Sequence, residues 1–270
     1  MRFRAIRSLI QKHHSRKPFE LLARAAGAYL SSYWNENMLD MGGNGEAEIL
    51  RRCSSHLGQR PVAVDAGSNR GDWTAELLRV IPESTVHCFE IVPTTAIDTI
   101  NRFRGDIRVT CNSVGLSAES GEVKVTTFHD SDAVSSITPL AWNEHTRSVL
   151  CKVVKGDDYL RDHHLDHIDI LKCDTEGHDL FVLKGFSGLL SRRPIPIIQF
   201  EYGHQCIPAR VYLRDFYEYL TPLGYSIGRL FPGGARISEY RDIRDEHFRS
   251  GNYIAVHSSY GVLAKAIAIT

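Results

Sequence analysis

Val62-Ala63-Val64-Asp65-Ala66-Gly67-Ser68-Asn69-Arg70-Gly71-Asp72-Trp73-Thr74 is a short apolar run that ends in an acid and a loop with two glycines. The β-branched Val62 and Val64 favour a strand. Gly67 and Gly71 permit backbone angles and close approaches that a Cβ forbids, and Ser68 or Asp72 can cap a following helix. The stretch reads as strand, tight turn and helix, a form that suits a nucleotide-like guest.

Spacing narrows the guest. A dinucleotide site wants G-x-G-x-x-G and a phosphate-binding loop wants G-x-x-x-x-G-K-[ST]. Here the glycines stand four apart, no lysine follows, and Asp65 precedes the turn, where it repels a diphosphate and attracts a cation. S-adenosylmethionine carries an ammonium and a sulfonium and no phosphate, so it matches on charge.

Outward from this stretch, strand-like and helix-like segments alternate, as in a parallel sheet with crossover helices. Strands are predicted over 62–65, 84–90, 107–111, 150–154, 168–174, 195–200, 225–230 and 253–256, which makes a doubly wound, mostly parallel α/β sheet. Gly121 sits between two β-like runs, 113–116 and 123–128, in hairpin style. Residues 129–147 are polar without periodicity and read as a long functional loop. Gly42-Gly43-Asn44-Gly45 reads as a flexible break. We expect a helical extension over 1–58, a catalytic domain over 59–258 and a tail over 259–270.

The extension carries Arg2, Arg4, Arg7, Lys12, Arg16 and Lys17 with no acid before Glu20, and Phe19, Leu22, Ala26, Tyr29 and Leu30 recur at helical spacing. It reads as a helical cap on the domain or on a second copy, with peripheral contact to an anionic membrane as the sharper alternative. Across all 270 residues, 32 basic and 32 acidic residues cancel, so charge gives no argument for nucleic acid. Six cysteines stand singly without C-x-x-C pairs, no apolar run reaches the ~18–20 residues of a membrane span, and no apolar segment follows the basic start as in a secretory signal. Those features point to a cytoplasmic protein with reduced thiols.

Four predicted strands end in an acid: Asp65, Glu90, Asp174 and Glu201. In an open parallel sheet such ends share one edge, where ligands bind. Glu90, at the tip of the second strand, suits the two ribose hydroxyls of an adenosine, because a carboxylate accepts two hydrogen bonds.

Three blocks carry a family resemblance. Val64 to Gly71, Cys88-Phe89-Glu90-Ile91-Val92-Pro93, and Ile170 to Asp179 with Val182-Leu183-Lys184-Gly185 together resemble the FkbM-type methyltransferases, over roughly residues 60–257. The K-x-D-x-E-G-H run from Lys172 to His178 is the specific one. The resemblance implies the class I methyltransferase (Rossmann-like) fold with its seven-stranded sheet, S-adenosylmethionine as cofactor, and methylation of hydroxyl oxygens of sugars, glycolipids, polysaccharides or secondary metabolites. It implies that Asp65, Gly67, Ser68, Asn69 and Gly71 hold the methionine part, that Asp174 also binds the cofactor, and that Asn112 to Leu116, Ser113 and Val114 among them, flank the adenine.

Methylating a hydroxyl requires loss of its proton, and His178 is the expected base, with Asp174 and Glu176 orienting it or binding acceptor hydroxyls. Glu201, Ser135 and Ser136 are expected on the acceptor side, with Gln205 to Arg210 shaping the pocket. Asp174, Glu176, His178 and Glu201 can also be read as a Mg²⁺ set. Transfer to nitrogen, and a cofactor-binding module without turnover, are the rival readings. The expected partners are a small-molecule or glycan acceptor and, through self-association, a second copy.

Overall fold

The computed structural model describes residues 2–37, 40–128, 131–137 and 146–269, without the side chains of residues 2, 3, 128, 131–136, 146, 147 and 243. The chain opens with α1 (Arg2–His13), α2 (Lys17–Tyr33), α3 (Met41–Asn44) and α4 (Glu46–Cys53). The quoted stretch then gives β1 (Val62–Ala66) and α5 (Asp72–Val80), followed by β2 (Thr85–Phe89), α6 (Pro93–Arg102) and β3 (Val109–Asn112). A second sheet comprises β4 (Gly115–Ser117), β5 (Gly121–Phe128), β6 (Ser131–Ser136) and β7 (Thr146–Lys155). Next come α7 (Gly156–Asp162), β8 (Ile170–Cys173), α8 (Asp179–Gly185), α9 (Ser187–Arg192) and β9 (Ile197–Tyr202). The chain ends with α10 (Cys206–Ala209), α11 (Leu213–Leu220), β10 (Tyr225–Phe231), β11 (Gly234–Ile237), β12 (Gly251–His257) and α12 (Gly261–Ile267).

The main sheet runs β11-β10-β12-β9-β8-β1-β2-β3. Strands β3, β2, β1, β8 and β9 are parallel, whereas β12 lies antiparallel between β9 and β10. This is the doubly wound α/β architecture expected from the alternating pattern. Phe231-Pro232-Gly233-Gly234 turns the chain from β10 into β11, an edge strand that brings the sheet to eight. The chain leaves β1 toward β2 and β3 on one side and returns to β8 and β9 on the other. The gap between β1 and β8 is therefore the switch point, where such sheets bind ligands.

Strand alternation splits the core between the two faces of the sheet. Val64, Ala66, Leu171, Cys173, Ile198 and Phe200 pack with α7, α8, α9 and α11. Ala63, Ile170, Ile197 and Ile254 pack with Ile49 and Leu50 of α4, Trp73 and Leu77 of α5, and Leu263 and Ile267 of α12. The extension's α4 and the tail's α12 thus belong to the same core as the sheet. The Gly42–Gly45 segment, read as flexible, instead makes α3 and its cap. Asn44 is buried there, with its side chain bonded to Glu46.

The second sheet departs from the expected hairpin. β4 and β5 both pair with β7, β4 in parallel and β5 antiparallel, in the order β4-β7-β5-β6. Part of the stretch read as a polar loop is strand β6, paired to β5. Local patterning could not show this, because the partner strand β7 lies about thirty residues along the chain.

Candidate functional site

Register sets the site. Ala66, the last residue of β1, is level with Phe89 and Cys173, so the next residues, Gly67, Glu90 and Asp174, meet at one edge. Gly67 takes φ 80°, and a Cβ on it would stand 1.8 Å from the carbonyl oxygen of Asp174. Only glycine lets the two strand ends close together here. Gly71, at φ 78°, admits the ring of Phe103, the residue just past α6, at a point where a Cβ would be 2.4 Å from it.

A cavity of about 420 Å³ opens at this edge. Its wall includes Gly67, Ser68, Asn69, Arg70, Asp72, Trp73, Phe89, Glu90, Ile91, Gly115, Leu116, Ile137, Lys172, Asp174, Thr175, Glu176, His178, Glu201, His204, Gln205 and Ser250, with Met41 and Glu46 from the N-terminal helices. β4 and Ile137 bring the second sheet over the main one. Ser135 and Ser136 lie on β6, and their side chains are outside the described part, as are residues 129, 130 and 138–145 of the expected loop.

Glu90 is fixed by the loop it faces. Its Oε2 accepts from the Asn69 N–H at 2.9 Å and its Oε1 from the Val92 N–H at 2.8 Å. Burial raises its pKa, and those two backbone donors offset part of the rise. Ser68 Oγ is buried without a hydrogen-bond partner.

Asp65 corrects the sequence reading. It is the penultimate residue of β1, level with Lys172 on β8, so its side chain points into the α4–α5 layer and not off the strand tip. It is fully buried and lies outside the cavity wall, accepting from Thr74 Oγ1 at 2.7 Å and standing 3.9 Å from Lys172 Nζ. Gly71 likewise shapes the turn without lining the cavity.

The expected adenine flank, Asn112 to Leu116, divides between two hollows. Asn112 and Val114 line a separate hollow of about 360 Å³, with Tyr159 and His163, and Ser113 is exposed. Asn112 Nδ2 donates to the Cys88 carbonyl and to Tyr159 Oη. From the same expected flank, Gly115 and Leu116 line the main cavity.

Lys172 is the buried cation of the site, which sequence reading quoted but gave no role. Its Nζ donates to Asp174 Oδ2 at 2.8 Å, and the amine lies 6.0 Å from the centre of the Trp73 ring. Burial pushes its pKa down, but Asp174, Asp65 and Glu46 outweigh burial and hold it well above its ordinary value. Glu46 was also missed. Its carboxylate accepts from Gln199 Nε2 and Asn44 Nδ2, and Gln199 bonds in turn to Asn252, which makes a buried polar network.

The block after β8 supplies the titratable groups. Glu176 and Gly177 both take left-handed backbone, at φ 50° and 91°. Burial, with Asp174 and Asp179 nearby, lifts the Glu176 carboxyl to about 8. Burial raises Glu201 well above its ordinary value, and Gln205 Nε2 donates to its Oε2. Asp179 accepts from Thr175 N, Thr175 Oγ1 and Glu201 N and so ties β8 to β9, which makes it a structural acid. His178 lies in the wall, with Nε2 at 2.9 Å from Ser117 Oγ and its ring stacked on Phe181. Burial lowers its pKa to about 4, so the imidazole is neutral at pH 7. Among the described residues no three His, Cys, Asp or Glu side chains gather as a metal site, so the suggested Mg²⁺ set does not form.

Residues 65–227, more than half of the chain, match the family model described as the methyltransferase FkbM domain. The chain belongs to the FkbM methyltransferase family. This FkbM domain is 27% identical over 160 residues to the hexuronic acid methyltransferase AglP of Haloferax volcanii, a match that covers 59% of the chain and 64% of that protein. It is 28% identical over 165 residues to methyltransferase sdnD of Sordaria araneosa, covering 48% of the chain and 62% of that protein. The chain thus spans less than two thirds of either relative. A solved methyltransferase FkbM from Methylobacillus flagellatus superposes with a TM-score of 0.49 at 16% identity, over 77% of the chain and 48% of the other.

Family membership implies S-adenosylmethionine as the methyl donor. The cavity suits such a group by the chemistry of its walls. Glu46, Asp72, Glu90 and Asp174 face it against Lys172 and Arg70, an excess of acids that favours a cationic guest and disfavours phosphate. No helix among the described residues is long and apolar enough to cross a membrane, and all six cysteines are free thiols.

Proposed function

We propose that the chain is an S-adenosylmethionine-dependent O-methyltransferase that acts on a hydroxyl of a sugar or a similar polyhydroxylated acceptor. The observation that carries the reading is the neutral His178 in the wall of an acid-lined cavity that it shares with Glu176, whose carboxyl is lifted to about 8, and Glu201, whose pKa burial raises. Glu90, with one lone pair still open on each oxygen, would take the ribose hydroxyls, and the Gly67–Asn69 backbone with the unpartnered Ser68 Oγ would hold the methionine part. The bound cofactor supplies an electrophilic methyl group on sulfur.

His178 takes the hydroxyl proton as the acceptor oxygen attacks. A buried imidazole is a weak base, yet the oxonium formed when a neutral alcohol is methylated is a far stronger acid than an imidazolium. Ser117 Oγ holds the ring in place. Glu176, protonated, can donate to other hydroxyls of the acceptor, Glu201 can hydrogen-bond to them, and together they select a polyol. The name of the Haloferax volcanii relative, a hexuronic acid methyltransferase, agrees with a sugar acceptor.

The test incubates the chain with methyl-labelled cofactor and a panel of hydroxylated glycosides. Label transferred to a glycoside oxygen supports the reading. Label appearing only on amines overturns it in favour of N-methylation, and tight cofactor binding with no transfer to any acceptor overturns it in favour of a binding module.

A further inference from the structure

The first 33 residues take no part in the cavity wall, and they do not behave as part of a core. α2 has no buried residue over its whole length. On α1, Ile6, Leu9 and Ile10 share one helical face and are 53%, 53% and 42% exposed, while Arg4, Arg7 and Lys12 occupy the other. On α2, Leu22, Tyr29, Leu30 and Tyr33 form a second exposed stripe. Two successive amphipathic helices with bare apolar faces require a cover that the described residues do not supply.

Charge says what the cover is. Residues 1–33 hold seven Lys and Arg against a single acid, Glu20, in a chain whose overall charge is balanced. A second copy would bring two such basic segments together, and like charges would oppose the contact. An anionic lipid surface offers an apolar layer and negative headgroups together, the environment that basic amphipathic helices occupy. We propose that α1 and α2 form a docking module that lies flat on an anionic membrane surface.

The chain just past the module, Trp34 to Glu36, is tied to the catalytic unit by several contacts. The Arg229 guanidinium donates to the Trp34 carbonyl just past α2 and also to the Ser250 carbonyl, and Ser250 belongs to the cavity wall. Asn35 adds bonds to the carbonyls of Asn44 and Leu230. Docking through α1 and α2 would therefore hold the cavity close to the membrane. The proposal does not depend on which acceptor is methylated.

Flotation of the full chain with two sets of vesicles tests it, one of phosphatidylcholine alone and one with about 30% phosphatidylserine. The chain is expected to float with the anionic vesicles only, and to be released by about 0.5 M salt. Replacing Arg4, Arg7 and Lys12 together by Glu should lower the partition coefficient at least about a hundred-fold, since each basic residue contributes a factor of about five. Ile10→Asp should lower it with every basic residue in place. These positions are exposed and lie outside the cavity, so cofactor binding reports that both variants are folded. Equal binding to both vesicle types, or binding to neither, overturns the proposal. So does a stable dimer in solution that Leu22→Asp dissociates, because the apolar stripe would then belong to a second copy.

Discussion

Replacing Glu176 by Gln should make the protein more stable at alkaline pH and leave it unchanged in acid. In the folded chain, burial first and then Asp174 and Asp179 lift this carboxyl from 4.5 to about 8. Between those values the folded state holds a proton that the unfolded state has released. Stability contributed by the protonated group is therefore lost as pH rises from about 4.5 to about 8. At about 1.4 kcal/mol per pH unit, the rise sets a ceiling of about 5 kcal/mol. Glu176 lies on the wall of a cavity open to solvent, and residual hydration of its carboxylate cuts the cost to about 2–3 kcal/mol. Gln keeps the shape without the charge. Urea unfolding of both proteins at pH 4, 7 and 9, without cofactor, should show stabilities that coincide at pH 4 and separate in favour of the variant by about 2–3 kcal/mol at pH 9. A difference independent of pH would refute the reasoning, since it would mean that Glu176 acts through packing and not through a buried charge.

Three further outcomes follow from the same site. Lys172→Met should cost about 3–5 kcal/mol at pH 7, because it strands Asp65 in a fully buried position, and Asp65→Asn in the same chain should recover most of the loss in a denaturant titration. His178→Ala should lower kcat by about 10²–10⁴ while the dissociation constant for S-adenosylmethionine stays unchanged; unaltered turnover removes His178 as the base. In the wild type, a pH–rate profile should show no loss of activity between pH 5 and 7 from this histidine, whose lowered pKa of about 4 keeps it unprotonated there, and a falling limb near 6.5 would contradict its buried placement.

The turn Val62–Thr74 was legible because its signals are local. Two valines and two glycines decide strand, loop and helix within thirteen residues, and β1 and α5 fall where they indicate, although the N-cap of α5 is Gly71 and neither Ser68 nor Asp72 caps it. The four strand-end acids were legible as a set, but their individual roles were not. Glu90 and Asp174 follow the last residues of β2 and β8 and reach the cavity, whereas Asp65 stands one residue inside β1 and turns toward Lys172. One step along a strand reverses the face, and only the register shows which step was taken. Glu46 left no signal of its own, since its place depends on Gln199 and Asn252, far away in sequence. The second sheet was misread for the same reason, because β4 and β5 both require β7.

The central claim is that the acid-lined cavity beside Gly67, Glu90 and Asp174 binds S-adenosylmethionine. Calorimetric titration of the full chain with this cofactor and with its demethylated product measures it directly. The account predicts one site for each, weakened about 10- to 100-fold by Glu90→Ala, the loss expected on removing a charged hydrogen-bonding group. Absence of binding to either ligand in protein shown to be folded, or full affinity in the Glu90→Ala variant, would contradict it.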